Sequence, residues 1–340
     1  MRGKSDMPAA KAEGAIAWAD LVREALGGRS LVIVDGGARN KTWELPRLAP
    51  FCDVIGFEPN REEHAKILAG TTDLEVARKV RDLPYRSIRY LDKALADRPG
   101  RATLRITRGP GASSLLDPND ELIAAMEHHF SFGKDLPEQF QVVGTEDVET
   151  TTLDAVAEEE GLDRIDYLKL DVQGMEYECL LGAEGLLKAR RVGVIKTEVE
   201  FLPLYKGQHL FADIDAFLRS HGFMLLDLDF DSRHKVIWSG HRIRADRGTL
   251  LFGEAYYTLS MPVHRELEET DRVRHALVLS ELGFLDLAIA LIEGIGPETG
   301  DRRLHRRVID GMLQDRRTWK RRVKDWGKGV YGLMGRLLRE

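Results

Sequence analysis

Apolar residues fall into short blocks along this chain, separated by segments of mixed polarity. Apolar runs of four to eight residues bounded by Gly, Pro, Asn or Asp read as buried strands, whereas apolar residues at steps of three and four read as one face of a helix. Strands are therefore predicted at Leu31–Val34, Val54–Phe57, Ile88–Leu91, Tyr167–Leu170, Val192–Val199, Phe223–Leu228 and Leu250–Leu259. Helices are predicted at Trp43–Leu48, Arg61–Leu68, Glu121–His129, Leu153–Glu160, Met175–Lys188 and Ile214–Ser220. Thr103–Thr107 reads as a hairpin arm inserted into this alternation, and Val148–Thr152 as a further strand. Strands alternating with helices pack most simply as an α/β, doubly wound, mostly parallel seven-stranded sheet. An amphipathic helix, Ala15–Leu26, ends at Gly27-Gly28 ahead of the first strand. After Pro262 the strand pattern stops, and Arg265–Ile292 and Leu304–Leu338 read as helices, with Ala276–Ile292 a lone helical hairpin. The expected division is a tail and helix over 1–28, a catalytic domain over 29–260 and a helical extension over 261–340.

The first two strands carry the most chemistry. Leu31–Val34 runs into Asp35-Gly36-Gly37-Ala38, and Val54–Phe57 runs into Glu58-Pro59-Asn60. Glycine at a strand end lets the backbone approach a ligand closely. An acid about 20 residues further on, at the end of the next strand, can accept the hydroxyls of a ribose. A dinucleotide fingerprint counted from Gly36 needs glycines where Ala38 and Lys41 stand. The pattern suits a ligand with one ribose and a small carboxylate end, such as S-adenosylmethionine, better than one with a pyrophosphate.

Composition narrows the class. The 340 residues are 43% hydrophobic and 31% charged, a globular balance. The two cysteines, Cys52 and Cys179, sit in no metal-binding spacing, which fits a reducing compartment and no metal site. Met1–Glu13 has no apolar core of a secretory signal, so the expected location is cytoplasmic. The charge is unevenly spread. Residues 301–340 hold thirteen Lys or Arg against five Asp or Glu, so against a total of −6 the rest of the chain carries −14. An acidic body repels phosphates and argues against a nucleic-acid substrate.

The motifs resemble those of the FkbM-type S-adenosylmethionine-dependent methyltransferases. The matching pieces are V-D-G-G-A at Val34–Ala38, F-E-P-N at Phe57–Asn60, S-S-L at Ser113–Leu115 and T-T-L-D at Thr151–Asp154. L-K-L-D-V-Q-G-M-E at Leu168–Glu176 and E-V-E-F-L-P-L-Y at Glu198–Tyr205 complete the set, which spans roughly Leu31 to Leu259. The resemblance implies a Rossmann-like methyltransferase fold using S-adenosylmethionine. It implies that Asp35, Gly36, Gly37 and Ala38 line the methionine end of the cofactor, and that Glu58, with Pro59, holds the ribose. Asp92, Lys93 and Ala94 would flank the adenine, and Asp171 would face the sulfonium and the acceptor. Two positions depart from the family pattern: Arg39 stands where Asn is usual and Lys41 where glycine is usual.

Methyl transfer to oxygen needs an aligned acceptor and a base for its proton. Lys169 and Asp171 share one face of a strand, as do Glu198 and Glu200 on the next. A Lys169–Glu198 pair is expected, either as part of a polar cluster at the carboxyl edge of the sheet or as an ion pair fixing strand register. Catalytic candidates are Asp171, Lys169 and Glu198. Tyr205, Gln208 and His209 follow as a candidate acceptor wall, and Asp227, Asp229, Asp231 and His234 form either a cation site or a solvated strand end. The expected function is O-methyl transfer to a hydroxyl of a small molecule or glycan. The competing readings are an oxidoreductase, disfavoured by the missing glycines, and a non-catalytic cofactor-fold module, which Lys41 keeps open. Trp319–Leu338 sets tryptophans and leucines on one stripe beside Lys320, Arg321, Lys324 and Lys328. Such a stripe serves a membrane surface or packs back within the protein or across a dimer.

Overall fold

The computed structural model describes residues 18–73, 82–126, 130–131, 134–230, 235–236, 238, 248–293 and 302–313. The chain divides into two compact units, one formed by residues 30–296 and one by 1–29 with 297–340. In the smaller unit, helix α1 (Trp18–Ala25) and a helix over 302–313 meet where Gly311 lies against Trp18 and Leu21, and Arg307 pairs with Glu24 at 2.8 Å. Trp319–Leu338 lies outside the described residues, as do Asp231 and His234.

The larger unit is built on a seven-stranded sheet. Its strands are β1 (Leu31–Gly36), β2 (Cys52–Phe57), β3 (Ser87–Leu91), β7 (Ile165–Leu170), β8 (Val192–Glu200), β9 (Phe223–Asp229) and β10 (Phe252–Leu259). The order is β9-β10-β8-β7-β1-β2-β3. β10 runs antiparallel to both neighbours, and the β8-β7-β1-β2-β3 pairings are all parallel. The central strands are buried at most positions because both faces are covered, as in parallel sheets. Val34, Leu168, Leu170, Ile195 and Val199 join one core cluster. Each of the seven sheet strands coincides with one of the predicted blocks.

The inserted segment forms a second sheet from β4 (Lys93–Leu95), β5 (Gly100–Thr107) and β6 (Val142–Thr151), ordered β4-β6-β5. Helices α3 (Asp120–Ala125) and α4 (Leu136–Phe140) lie in the connection between β5 and β6. On the main sheet, α2 (Arg61–Ala69), α5 (Leu153–Glu159), α6 (Glu176–Leu181), α7 (Glu184–Lys188) and α8 (Phe211–Ser220) follow the strands. The predicted helix Met175–Lys188 is thus two helices. The break falls at Gly182, where an added Cβ would lie 2.2 Å from the Ala96 carbonyl oxygen.

The segment Trp43–Leu48 is not a helix. It is a loop with turns, entered at Lys41 (φ 67°) and crossing Leu45 (φ 50°), with Pro46 and Pro50 beside it. Left-handed residues and prolines stop helix propagation. Beyond the sheet, α9 (Met261–Glu266), α10 (Glu269–Glu281) and α11 (Leu285–Glu293) form the helical region expected over Arg265–Ile292. The α10–α11 pair is the predicted hairpin, and α10 packs on β7 and β8. No helix among the described residues is long and apolar enough to cross a membrane.

Candidate active site

β1, β2, β7 and β8 end together, and their last residues bring the predicted site to one edge. At the end of β1 the chain turns at Gly37, whose φ is 83°. A Cβ there would stand 1.9 Å from the Asp171 carbonyl oxygen, so glycine is required for space as well as for conformation. Asp171 N donates back to Gly36 O at 3.0 Å, and Ala38 N donates to Phe57 O at 2.8 Å. The turns after β1, β2 and β7 are therefore locked to one another by backbone contacts.

Asp35 is buried and engaged on both oxygens. Oδ1 accepts from Lys169 Nζ at 2.9 Å and Oδ2 from Thr42 Oγ1 at 2.7 Å. Burial opposes the charge on Lys169, but Asp35, Asp171 and Glu44 outweigh it and hold its pKa above the ordinary lysine value. The expected Lys169–Glu198 pair does not form. In the parallel register Lys169 lies between Asp35 and Lys196, and Glu198 lies one pleat further along β8. Lys169 pairs with Asp35, while Lys196 pairs with Glu254 at 2.9 Å.

Glu58 is buried at the end of β2, where Oε1 accepts the Asn60 N–H at 2.8 Å. Burial pushes its carboxyl up to about 7, against the Asn60 N–H, with repulsion from Glu63 adding to the rise. Asn60 caps α2 by accepting from the Glu62 and Glu63 N–H groups, and Pro59 between them is half-buried. Further along the edge, Asp92 is exposed, Lys93 pairs with Glu149 at 2.9 Å and Ala94 is buried in β4. Lys41 reaches Asp82 at 3.0 Å, and Arg39 donates to Glu63 at 2.7 Å and to Asp73 at 2.5 Å.

Asp171 has its side chain 42% exposed, unlike Asp35 at 2%. Its Oδ2 lies 3.8 Å from Lys169 Nζ, and its Oδ1 accepts from Gln173 Nε2 at 2.8 Å. The same Gln173 nitrogen donates to Glu198 Oε2 at 3.0 Å. Burial raises the Glu198 carboxyl well above the usual range, and Asp171, Glu200 and Glu176 add repulsion. Beneath this turn the buried Glu176 accepts from the Val172 N–H at 2.7 Å and the Gly174 N–H at 2.9 Å. Burial pushes Glu176 up to about 7, partly offset by those N–H groups.

The inserted segment stands over the same edge. Ser114 Oγ donates to Gln173 O at 2.7 Å, Arg61 pairs with Glu146 at 2.9 Å and Asn119 Nδ2 donates to Pro203 O at 2.9 Å. Of the expected wall, Tyr205 is buried and its hydroxyl reaches Ala112 O at 2.9 Å and Gln173 Oε1 at 3.1 Å. Gln208 Oε1 accepts from the Tyr205 N–H at 3.1 Å, whereas His209 stacks on Tyr177 with ring centroids 4.0 Å apart. Asp227 Oδ1 accepts from the Leu228 N–H at 2.9 Å. Sequence reasoning missed Thr42, Gln173 and Glu176 as parts of the site. The last two lay inside the L-K-L-D-V-Q-G-M-E motif and were open to notice there.

The segment that builds this edge, residues 35–225, matches the methyltransferase FkbM domain. The chain belongs to the FkbM methyltransferase family. A 2-O-methyltransferase, NoeI, of Sinorhizobium fredii (strain NBRC 101917 / NGR234) is 30% identical over 165 residues. The match covers 48% of this chain and 59% of the relative, so the chain spans less than two thirds of the relative's length. Among solved structures, magnesium protoporphyrin IX methyltransferase from Synechocystis PCC 6803 with bound SAM is 11% identical, with TM-score 0.30 over 72% of this chain and 76% of that one. Precorrin-6y C5,15-methyltransferase from Geobacter metallireducens GS-15 is 14% identical, with TM-score 0.30 over 74% and 93%.

Proposed function

We propose that this FkbM-family protein is an S-adenosylmethionine-dependent O-methyltransferase acting on a hydroxyl of a small molecule or glycan. The observation that carries the proposal is the placement of Asp171. A half-exposed carboxylate follows β7, and its own carbonyl packs against the Gly37 turn. The residues fit the cofactor. The Gly37 turn and the Glu58 carboxylate close the ends of the paired strands β1 and β2, and the hydrogen bond that buried Glu58 accepts from Asn60 uses Oε1. When bound, S-adenosylmethionine supplies an activated methyl group.

The chain's own residues then have distinct tasks. Glu58 accepts the ribose hydroxyls, and Asp35 shapes the turn through Lys169 and Thr42. Asp171 accepts the proton of the acceptor hydroxyl or orients that hydroxyl, with Glu198 the next candidate for the same role. The overhanging segment around Ser114 and Tyr205 limits access and excludes water. The O-methyl reading also draws on NoeI, a 2-O-methyltransferase, as a partial-length relative.

Two measurements test it. Titration calorimetry with S-adenosylmethionine and with NAD is expected to show binding of the first alone. Labelled methyl transfer to a panel of methyl hexosides and deoxyhexosides is expected to fall far more than cofactor affinity in Asp171→Asn. Equal losses in both would make Asp171 a cofactor ligand, and wild-type turnover would remove it from the mechanism.

A further inference from the structure

Gln173 has a backbone φ of 59°, a left-handed value in a residue that carries a side chain. Such a conformation is strained for a residue with a Cβ and persists where the surroundings impose it. The surroundings here are four hydrogen bonds. Nε2 donates to Asp171 Oδ1 at 2.8 Å and to Glu198 Oε2 at 3.0 Å, so both amide hydrogens end on carboxylates. Oε1 faces the Tyr205 hydroxyl at 3.1 Å, and the main-chain carbonyl accepts from Ser114 Oγ at 2.7 Å. A carboxamide has two donors and one acceptor oxygen, and a reversed amide would turn that oxygen against two acids. The direction of the amide is therefore fixed by its partners.

The residues on either side are held without it. Val172 and Gly174 donate their N–H groups to the two oxygens of Glu176. The turn thus keeps its own support when the Gln173 amide is removed, whereas the two acids lose the group between them. Those acids sit in a crowded field. Glu198 faces Asp171, Glu200, Glu176 and Glu254, and Lys169 Nζ is 3.8 Å from Asp171 Oδ2. Lys196, the nearby cation on β8, is 2.9 Å from Glu254. Two carboxylates that meet without a donor between them cannot both stay ionised cheaply.

We infer that Gln173 is a positioning residue, whose amide holds the Asp171 and Glu198 carboxylates side by side, leaves Asp171 Oδ2 for the acceptor and governs the ionisation of both acids. The inference rests on the assignment of these acids to the acceptor side, and its test separates the two. The full chain, carrying 13C at the Asp and Glu side-chain carboxyls, is titrated by NMR in the presence of S-adenosylhomocysteine. Asp171→Asn and Glu198→Gln assign the two resonances.

Gln173→Glu places a third carboxylate in contact with the pair, and the titration midpoint of Asp171 or Glu198 is expected to rise by about one pH unit or more. Gln173→Met, neutral and of similar length, is expected to shift the midpoints in the same direction by less. Affinity for S-adenosylhomocysteine is expected to stay within about twofold in both variants, because Gln173 is assigned no cofactor contact. Midpoints within about 0.3 unit of wild type in folded variants would overturn the inference. Should Gln173→Glu fail to fold, Gln173→Met decides alone. A wild-type chain that binds no S-adenosylhomocysteine would defeat the cofactor assignment instead, and the titration comparison would still be read on the free protein.

Discussion

Glu58 shows how much one buried carboxyl can report. Its folded-state pKa of about 7 is above the ordinary value of 4.5, so the folded chain holds a proton that the unfolded chain releases between those values. Stability contributed by this group is therefore present at low pH and lost as pH rises through about 7. Cofactor affinity has the opposite sign, since ribose hydroxyls bond best to the ionised form. Calorimetry at pH 6 and pH 8 is expected to show tighter S-adenosylmethionine binding at the higher pH, and Glu58→Gln to flatten that dependence. Glu58→Ala is expected to weaken binding by roughly tenfold or more, because charge-assisted bonds contribute about 1.5–3 kcal/mol. Unchanged affinity in Glu58→Ala would remove the ribose assignment. This acid was legible in the sequence because it sits at a strand end, one strand after a glycine turn. Thr42 was not, since its bond to Asp35 depends on a loop conformation that no periodicity encodes.

At the scale of elements, strands were legible and crossovers were not. β1, β7 and β8 are buried at most positions, and burial on both faces imposes the apolar blocks that mark them in the sequence. The crossover after β1 has the apolar content of a helix but follows left-handed Lys41 and Leu45. Lys41 occupies the place where the family resemblance implies glycine, and its φ of 67° explains why glycine suits that place. The pairing of Lys169 failed as an expectation for a related reason: a two-residue offset between strands decides which charges meet, and offset is invisible in one strand's sequence. The turn from β7 to α6 depends on Glu176 in the same hidden way. Glu176→Ala leaves the Val172 and Gly174 N–H groups without their acceptor. Each such buried group costs about 1–3 kcal/mol. Chemical denaturation is expected to show a loss of roughly 2–4 kcal/mol, with Glu176→Gln losing less. A loss under about 0.5 kcal/mol in Glu176→Ala would show that water or a rearranged turn satisfies both groups.

For the larger unit as a whole, the buried pair under the sheet matters most. Arg274 on α10 donates to Asp166 Oδ1 at 2.7 Å and Oδ2 at 2.6 Å, and to Ser30 O at 2.6 Å. Asp166 Oδ2 also accepts the Val32 N–H at 2.6 Å, so one acid ties α10 to β7 and β1 at the end opposite the candidate active site. α10 lies beyond the segment that matches the family, and from sequence it is one more helix after the strands stop. Nothing in a linear pattern tells a buried arginine from a solvated one. Arg274→Met strands a buried carboxylate and is expected to cost about 3–5 kcal/mol in a denaturant melt. The nearby His264 and His275 are buried 3.2 Å apart, and burial lowers His264 to about 4 and lowers His275 as well. Groups with depressed folded-state values stabilise the fold above the unfolded value of 6.5, and that stability drains away as pH falls toward 4. Melting temperature is accordingly expected to drop between pH 6.5 and pH 4, and less steeply in His264→Gln. An equal slope in the two proteins would place the acid sensitivity elsewhere.

The contact between Gly37 and the Asp171 carbonyl bears on how chimaeras of this chain can be built. The two segments lie far apart in sequence, yet the space that one leaves is filled by the backbone of the other. A crossover placed between them draws the two halves of that fit from different parents, while one placed before Gly36 or after Gly174 carries both halves from the same parent. In a recombination library made with other members of the family, surviving sequences are expected to inherit residues 36–38 and 171–174 together more often than their separation along the gene would give.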